Sequence, residues 1–158
     1  MGTVASILKL ARAQGVTLGA VESLTGGMLL AALTSVSGAS KVVKGGLVTY
    51  ADEEKEKLLH VSKARLQKYG AISPEVAHDM AKMGRYRLNV DLCLALTGNA
   101  GPKALENKPI GLYYLALASA HEVQVSRFEA TGTRVQIRRA CVEQALVAIE
   151  KQLRQSHK

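Results

Sequence analysis

One break in the chain constrains its fold more than any other. An apolar, β-leaning run from Val16 to Val21 ends at Glu22-Ser-Leu-Thr-Gly-Gly, and a helical pattern begins at Met28. A strand that stops in small polar residues and glycine before a helix start belongs to α/β proteins, which place ligands or chemistry at such ends. Two readings of the stretch compete. Ser23 or Thr25 caps the helix while the glycines make the turn, or the same residues form a site.

The rest of the chain follows the α/β pattern. Residues 2–14 read as an amphipathic helix ended by Gly15, and 16–21 as a buried strand. A helix runs from Gly26 to about Ser35, followed by a Ser/Gly loop at 36–40. Residues 44–50 form a strand, and Asp52 caps a short acidic helix. Ser62 caps another over 62–69, and Ser73-Pro74 opens a longer one with Val76, Met80 and Met83 on its buried side. A strand at 91–97 runs into Gly98-Asn-Ala-Gly-Pro, and 103–109 is a polar loop. Strands at 110–118 and 123–128 form a hairpin, because only Ala120-His121-Glu122 lies near their junction. Thr131-Gly-Thr-Arg opens the last helix, with Val135, Val142, Leu146, Ile149 and Leu153 on one stripe and a frayed tail after Arg154. The expected architecture is a single three-layer α/β/α domain over 1–158, with a mixed, mostly parallel sheet of about five strands.

Composition narrows the partners. A chain of 158 residues with 47% hydrophobic and 22% charged residues can bury a full core in one domain. The net charge of +8 favours anionic partners such as phosphorylated metabolites or nucleic acid. The basic residues are scattered, however, and aromatics make up only 4%, which argues against a platform for stacking single-stranded bases. Cys93 and Cys141 fall in apolar patterns and read as buried, reduced thiols. No zinc spacing, signal peptide or membrane-length apolar run is present, so a cytoplasmic protein is expected.

Three strand ends carry small polar residues: Glu22–Gly27, Thr49–Lys55 and Thr97–Pro102. The carboxyl ends of strands converge at the switch point of an open sheet, so these three loops are expected neighbours. If they meet, Ser23 is a candidate nucleophile and Lys55 its base, provided burial lowers the lysine pKa. Otherwise Lys55 is a solvated helix residue among glutamates. His60, His78, His121 and His157 fall away from these ends, which leaves a Ser-His-Asp triad unsupported. Gly98-Asn-Ala-Gly-Pro either makes a tight turn or presents backbone N–H groups to an oxygen. Arg134 and Arg138, one helical turn apart, either form a basic surface or bind an anion.

These segments have a counterpart among known families. Val21-Glu-Ser-Leu-Thr-Gly-Gly, Gly46-Leu-Val-Thr-Tyr-Ala-Asp-Glu-Glu-Lys, Leu59-His-Val, Tyr69-Gly-Ala-Ile-Ser-Pro-Glu-Val-Ala, Leu96-Thr-Gly-Asn-Ala-Gly-Pro and Lys108-Pro-Ile-Gly occur in order. Together, over about residues 3–153, they resemble the CinA C-terminal domain family of nicotinamide-nucleotide amidohydrolases. The resemblance implies deamidation of nicotinamide mononucleotide to nicotinate mononucleotide and ammonia, with no metal or organic cofactor required, and a homo-oligomer, with a dimer favoured. It implies Ser23 as nucleophile, Lys55 as base, and Tyr50 as the third member of the catalytic set. Thr25, Gly26, Gly27, Thr97, Gly98 and Asn99 would surround the substrate and its oxyanion, with the 5′-phosphate on Arg134 and Arg138. The chain departs from the pattern at Leu24, Asp52 and Asn99, where Cys, Asn and an aliphatic residue are usual. Lys103-Ala-Leu-Glu-Asn also replaces a glycine-rich loop. A non-catalytic relative that binds a nucleotide phosphate or DNA is the alternative.

Overall fold

A computed structural model describes residues 2–155. The elements are α1 (Val4–Gln14), β1 (Leu18–Glu22), α2 (Met28–Thr34), β2 (Val43–Val48), α3 (Asp52–Leu59), α4 (Lys63–Tyr69), α5 (Pro74–Leu88), β3 (Leu92–Gly98), β4 (Leu112–Ala118), β5 (Val123–Glu129) and α6 (Arg134–Gln155). A short 3-10 turn, Ala39–Lys41, lies within the stretch expected to be loop. The tail expected to fray continues helically to Gln155, and residues 156–158 lie outside the described part.

The five strands lie in the order β2-β1-β3-β4-β5. β1 pairs in parallel with β2 and β3, while β3–β4 and β4–β5 are antiparallel. The α/β/α expectation therefore holds, with the parallel pairing confined to the three strands that carry the polar ends. β1 is buried at all five positions, as befits a central strand covered on both faces. One face packs Ile7, Leu29, Leu33, Ile137, Cys141 and Ile149 of α1, α2 and α6; the other packs Leu59, Val76, Met80 and Ala81 of α3 and α5. From β1 the chain leaves through α2 to β2 on one side, and then crosses the opposite face to β3 on the other. The carboxyl ends of β1 and β3 thus flank a switch point.

Local differences from expectation have local causes. Glu22 belongs to the strand rather than to the loop, opposite Val48 and Leu96. Helix α2 starts two residues late because Gly26 and Gly27 take left-handed conformations, φ 58° and 103°. Asp52 is not the cap of α3: Ala51 holds that position, with no side-chain cap, and Asp52 is the first helical residue. Val135 is 50% exposed, and Ile137 with Cys141 takes its place on the buried stripe of α6. The start of α6 is closed by a capping box, Thr133 Oγ1 accepting from Gln136 N–H and Gln136 Oε1 from Thr133 N–H. The hairpin is present, Ala118 standing opposite Val123.

Candidate active site

At the end of β1, Glu22 is fully buried and turns its carboxylate onto the start of α2. Its oxygens accept from the N–H groups of Gly27 (3.1 Å), Leu29 (3.0 Å) and Leu30 (2.9 Å). A carboxylate at a helix N-terminus meets both the free N–H groups and the positive end of the dipole. The cap of α2 is therefore Glu22, not Ser23 or Thr25, and the helix start is filled by the protein's own anion.

That leaves the Ser23 hydroxyl for another partner. Lys55, on the first turns of α3, is 1% exposed, and its Nζ donates to Ser23 Oγ at 3.1 Å. The same nitrogen donates to the carbonyls of Thr49 (2.8 Å) and Tyr50 (3.4 Å) and stands 3.7 Å from Asp52 Oδ1. Burial pulls the Lys55 pKa below the ordinary lysine value, against the opposing pull of Asp52, Glu106 and Glu53. The solvated-helix reading of Lys55 does not describe this side chain. A neutral amine has two N–H groups and one lone pair. Once the amine is deprotonated, the two carbonyls can take its N–H groups, and the lone pair then faces the serine hydroxyl.

Ser23, Tyr50, Lys55, Thr97, Gly98, Asn99 and Arg134 all line one cavity of about 310 Å³, together with Ala71, Ile72, Leu105 and Glu106. That volume lies at the lower end of the range for small-molecule sites. The three strand ends do converge. No histidine of the described residues lines the cavity, and His157 lies outside them.

The remaining residues divide by what they touch. Thr97 Oγ1 donates to Ala71 O at 2.7 Å, tying the end of β3 to the segment before α5. Tyr50 is 61% exposed at the cavity rim, and its hydroxyl accepts from Arg134 Nη2 at 2.9 Å. Its main-chain carbonyl accepts from Lys55 Nζ. Arg134 Nη1 donates to Gly101 O at 2.6 Å. Arg138 lies apart from Arg134: its Nε and Nη2 donate to the carbonyls of Leu24 (2.9 Å) and Thr25 (3.1 Å). It clamps the turn that carries Ser23 and is not on the cavity wall, and neither are Thr25, Gly26 and Gly27.

Most of the expected oxyanion donors are already engaged. Gly26 N–H donates to Ser23 O, Gly27 N–H to Glu22, and Asn99 N–H to Leu112 O. Gly98 differs. Because Asn99 bonds across to β4, the alternation of an antiparallel ladder turns the Gly98 N–H the other way, toward the end of β1 where Ser23 sits. A side chain at Gly98 would meet Tyr113 Cβ at 2.4 Å, so the close approach of β4 requires glycine there.

The loop 103–108, where the sequence departs from the glycine-rich pattern, puts Leu105 and Glu106 on the cavity wall. Glu106 and Asn107 both have positive φ, 55° and 54°, in a tight turn closed by Lys108 N–H donating to Leu105 O. The Glu106 carboxylate accepts from Ala71 and Ile72 N–H, each at 2.9 Å. Lys108 Nζ donates to the carbonyls of Tyr69 (2.6 Å) and Ile72 and lies 3.3 Å from Glu106. Residue 70 has φ 77° and ψ 164°, a conformation that favours glycine, and the missing Cβ leaves room for the Glu106 carboxylate.

A doubly covered sheet with a buried serine–lysine pair at its switch point defines the class: an α/β protein with a polar cavity where its parallel strands end. The family model described as the CinA C-terminal domain matches residues 2–153. A Caldanaerobacter subterraneus subsp. tengcongensis protein named as competence-damage inducible is 44% identical over 133 residues, 84% of this chain and 32% of its own length. A CinA-like protein of Geobacter sulfurreducens is 41% identical over 149 residues, 94% of this chain and 36% of its own. A crystal structure of a CinA superfamily protein from Klebsiella pneumoniae superposes with a TM-score of 0.91 at 28% identity, covering 98% of this chain and 99% of that one. The chain belongs to the CinA C-terminal domain family. It spans about a third of the length of the curated relatives it matches.

Proposed function

We propose that the protein is an amidohydrolase that converts nicotinamide mononucleotide to nicotinate mononucleotide and ammonia, with Ser23 as nucleophile and Lys55 as base. The observation that carries this reading is a lysine amine buried to 1% exposure and 3.1 Å from a serine hydroxyl at the end of β1. Neutral Lys55 takes the Ser23 proton as Oγ attacks the carboxamide carbon, and the carbonyl oxygen gains the charge. Gly98 N–H is the donor placed to meet that oxygen. Collapse of the intermediate expels the amide nitrogen, which takes the proton from Lys55 and leaves as ammonia. Neutral again, Lys55 accepts a proton from water as it attacks the acyl-serine ester, and the proton returns to Ser23 Oγ as the acid departs. Arg134 at the rim supplies the cation for the 5′-phosphate, in place of the Arg134–Arg138 pair that the sequence suggested. A cytoplasmic location and a dimer are also part of the reading; the two free, buried cysteines suit a reducing compartment.

Incubation of the purified chain with nicotinamide mononucleotide, followed by assay of ammonia and nicotinate mononucleotide, tests the reaction. Turnover that falls by about 10⁴-fold or more in Ser23→Ala is expected, since the members of such a unit fail together. A folded wild-type sample without turnover refutes it.

A further inference from the structure

Asn99 stands on the cavity wall yet is 1% exposed. Its Oδ1 accepts from Gly101 N–H at 2.9 Å, which fixes the orientation of the amide and leaves Nδ2 unengaged. Among the described residues, Nδ2 has no hydrogen-bond partner. A buried amide donor left unpaired is costly, and an aliphatic side chain would fill the same place without that cost. The arrangement makes physical sense when a bound molecule supplies the acceptor.

Position along the chain says which acceptor. Glu22 stands opposite Leu96, so Ser23 lies beside Thr97, and Asn99 follows two residues, roughly 7 Å, further on. Gly101, which orients the Asn99 amide, gives its carbonyl to Arg134. A connected path thus runs from the strand position beside the nucleophile through Asn99 and Gly101 to Arg134. In a pyridine nucleotide spanning from Ser23 to Arg134, the groups at that level are the ribose hydroxyls.

We propose that the side-chain amide of Asn99 is a specificity-determining donor that reads a ribose hydroxyl of the nucleotide substrate. The identity of the substrate rests on the amidohydrolase reading; the contact itself does not require turnover. With Asn99 in place, the site prefers a ribonucleotide over the same nucleotide lacking its sugar hydroxyls.

The test compares nicotinamide mononucleotide with its 2′,3′-dideoxy analogue in the full chain. Wild type should favour the ribonucleotide by about ten- to hundredfold in kcat/KM, the scale of one hydroxyl read by a buried partner. Asn99→Leu should lose about that factor on the ribonucleotide and little on the analogue, so that the preference collapses to within about threefold. If Asn99→Leu does not fold, as judged by circular dichroism, Asn99→Ala takes its place with the same expectation. A preference that survives in the variant overturns the proposal. An equal loss on both substrates also overturns it, and moves the amide to the carboxamide carbonyl. If wild type releases no ammonia, the amidohydrolase reading fails by itself. Calorimetric titration of the same pair into wild type and variant then decides the contact. Discrimination by wild type that the variant lacks supports it; equal binding of the pair, or no binding, overturns it.

Discussion

With the Glu22 carboxylate accepting from Gly27, Leu29 and Leu30, the start of α2 needs no hydroxyl, and Ser23 Oγ is left to Lys55. Desolvation holds the Lys55 pKa below its ordinary value of 10.5. Between the folded and unfolded pKa values the unfolded chain binds the Lys55 proton and the folded chain does not. Unfolding there takes up a proton, so stability rises with pH across that window. The same ionisation converts Lys55 into a base, so kcat/KM should climb with pH along a limb whose pKa lies below 10.5. Lys55→Met should abolish turnover without unfolding the chain, and it should also remove the stability slope. Thermal melts at several pH values should show wild type gaining on Lys55→Met as the pH rises; a constant difference would contradict the buried-amine assignment. The pair Ser23 and Lys55 was legible in sequence, because strand ends and residue types sufficed to suggest it. Glu22 as cap was not, since its carboxylate reaches forward five to eight residues and matches no local capping pattern. The free Asn99 Nδ2 was equally hidden, because it depends on a single bond from Gly101.

At the scale of elements, the loop 103–108 replaces expected glycines with a latch. Two backbone N–H groups on Glu106 and the Lys108 ammonium on two carbonyls offset the strain of two successive non-glycine residues at positive φ. Glu106→Gln retains the shape but gives up a charge-assisted acceptor and the Lys108 ion pair. Loss of such bonds costs about 1.5–3 kcal/mol, which should appear as a lower denaturant midpoint. Since Leu105 and Glu106 also wall the cavity, KM for nicotinamide mononucleotide should rise severalfold while kcat stays within about threefold, as when uniform binding is removed. A kcat loss at unchanged KM would instead place Glu106 in the chemistry. The elements themselves were readable from periodicity to within a few residues, and so was the β4–β5 hairpin. The function of 103–108 was not, because its anchors at Tyr69, Ala71 and Ile72 are more than thirty residues away along the chain.

For the whole molecule, the net charge of +8 is spread rather than gathered. Scattered cations produce a long-range field that raises the encounter rate of anions, and salt screens it within about 10 Å at 0.1 M. The buried pair is shielded from that screening: Lys55 is 1% exposed. The two effects therefore separate kinetically. Between about 0.02 and 0.2 M salt, kcat/KM for nicotinamide mononucleotide should fall severalfold while kcat holds, because encounter is steered and the chemical step is not. The nucleoside, which lacks the phosphate and keeps the cationic pyridinium ring, should show no such fall. Duplex DNA, if it binds at all through the same diffuse charge, should release steeply over about 50–200 mM salt without sequence preference. A kcat that follows ionic strength as closely as kcat/KM would contradict the steering, and a salt-insensitive DNA complex would shift the reading of this molecule toward a binding protein.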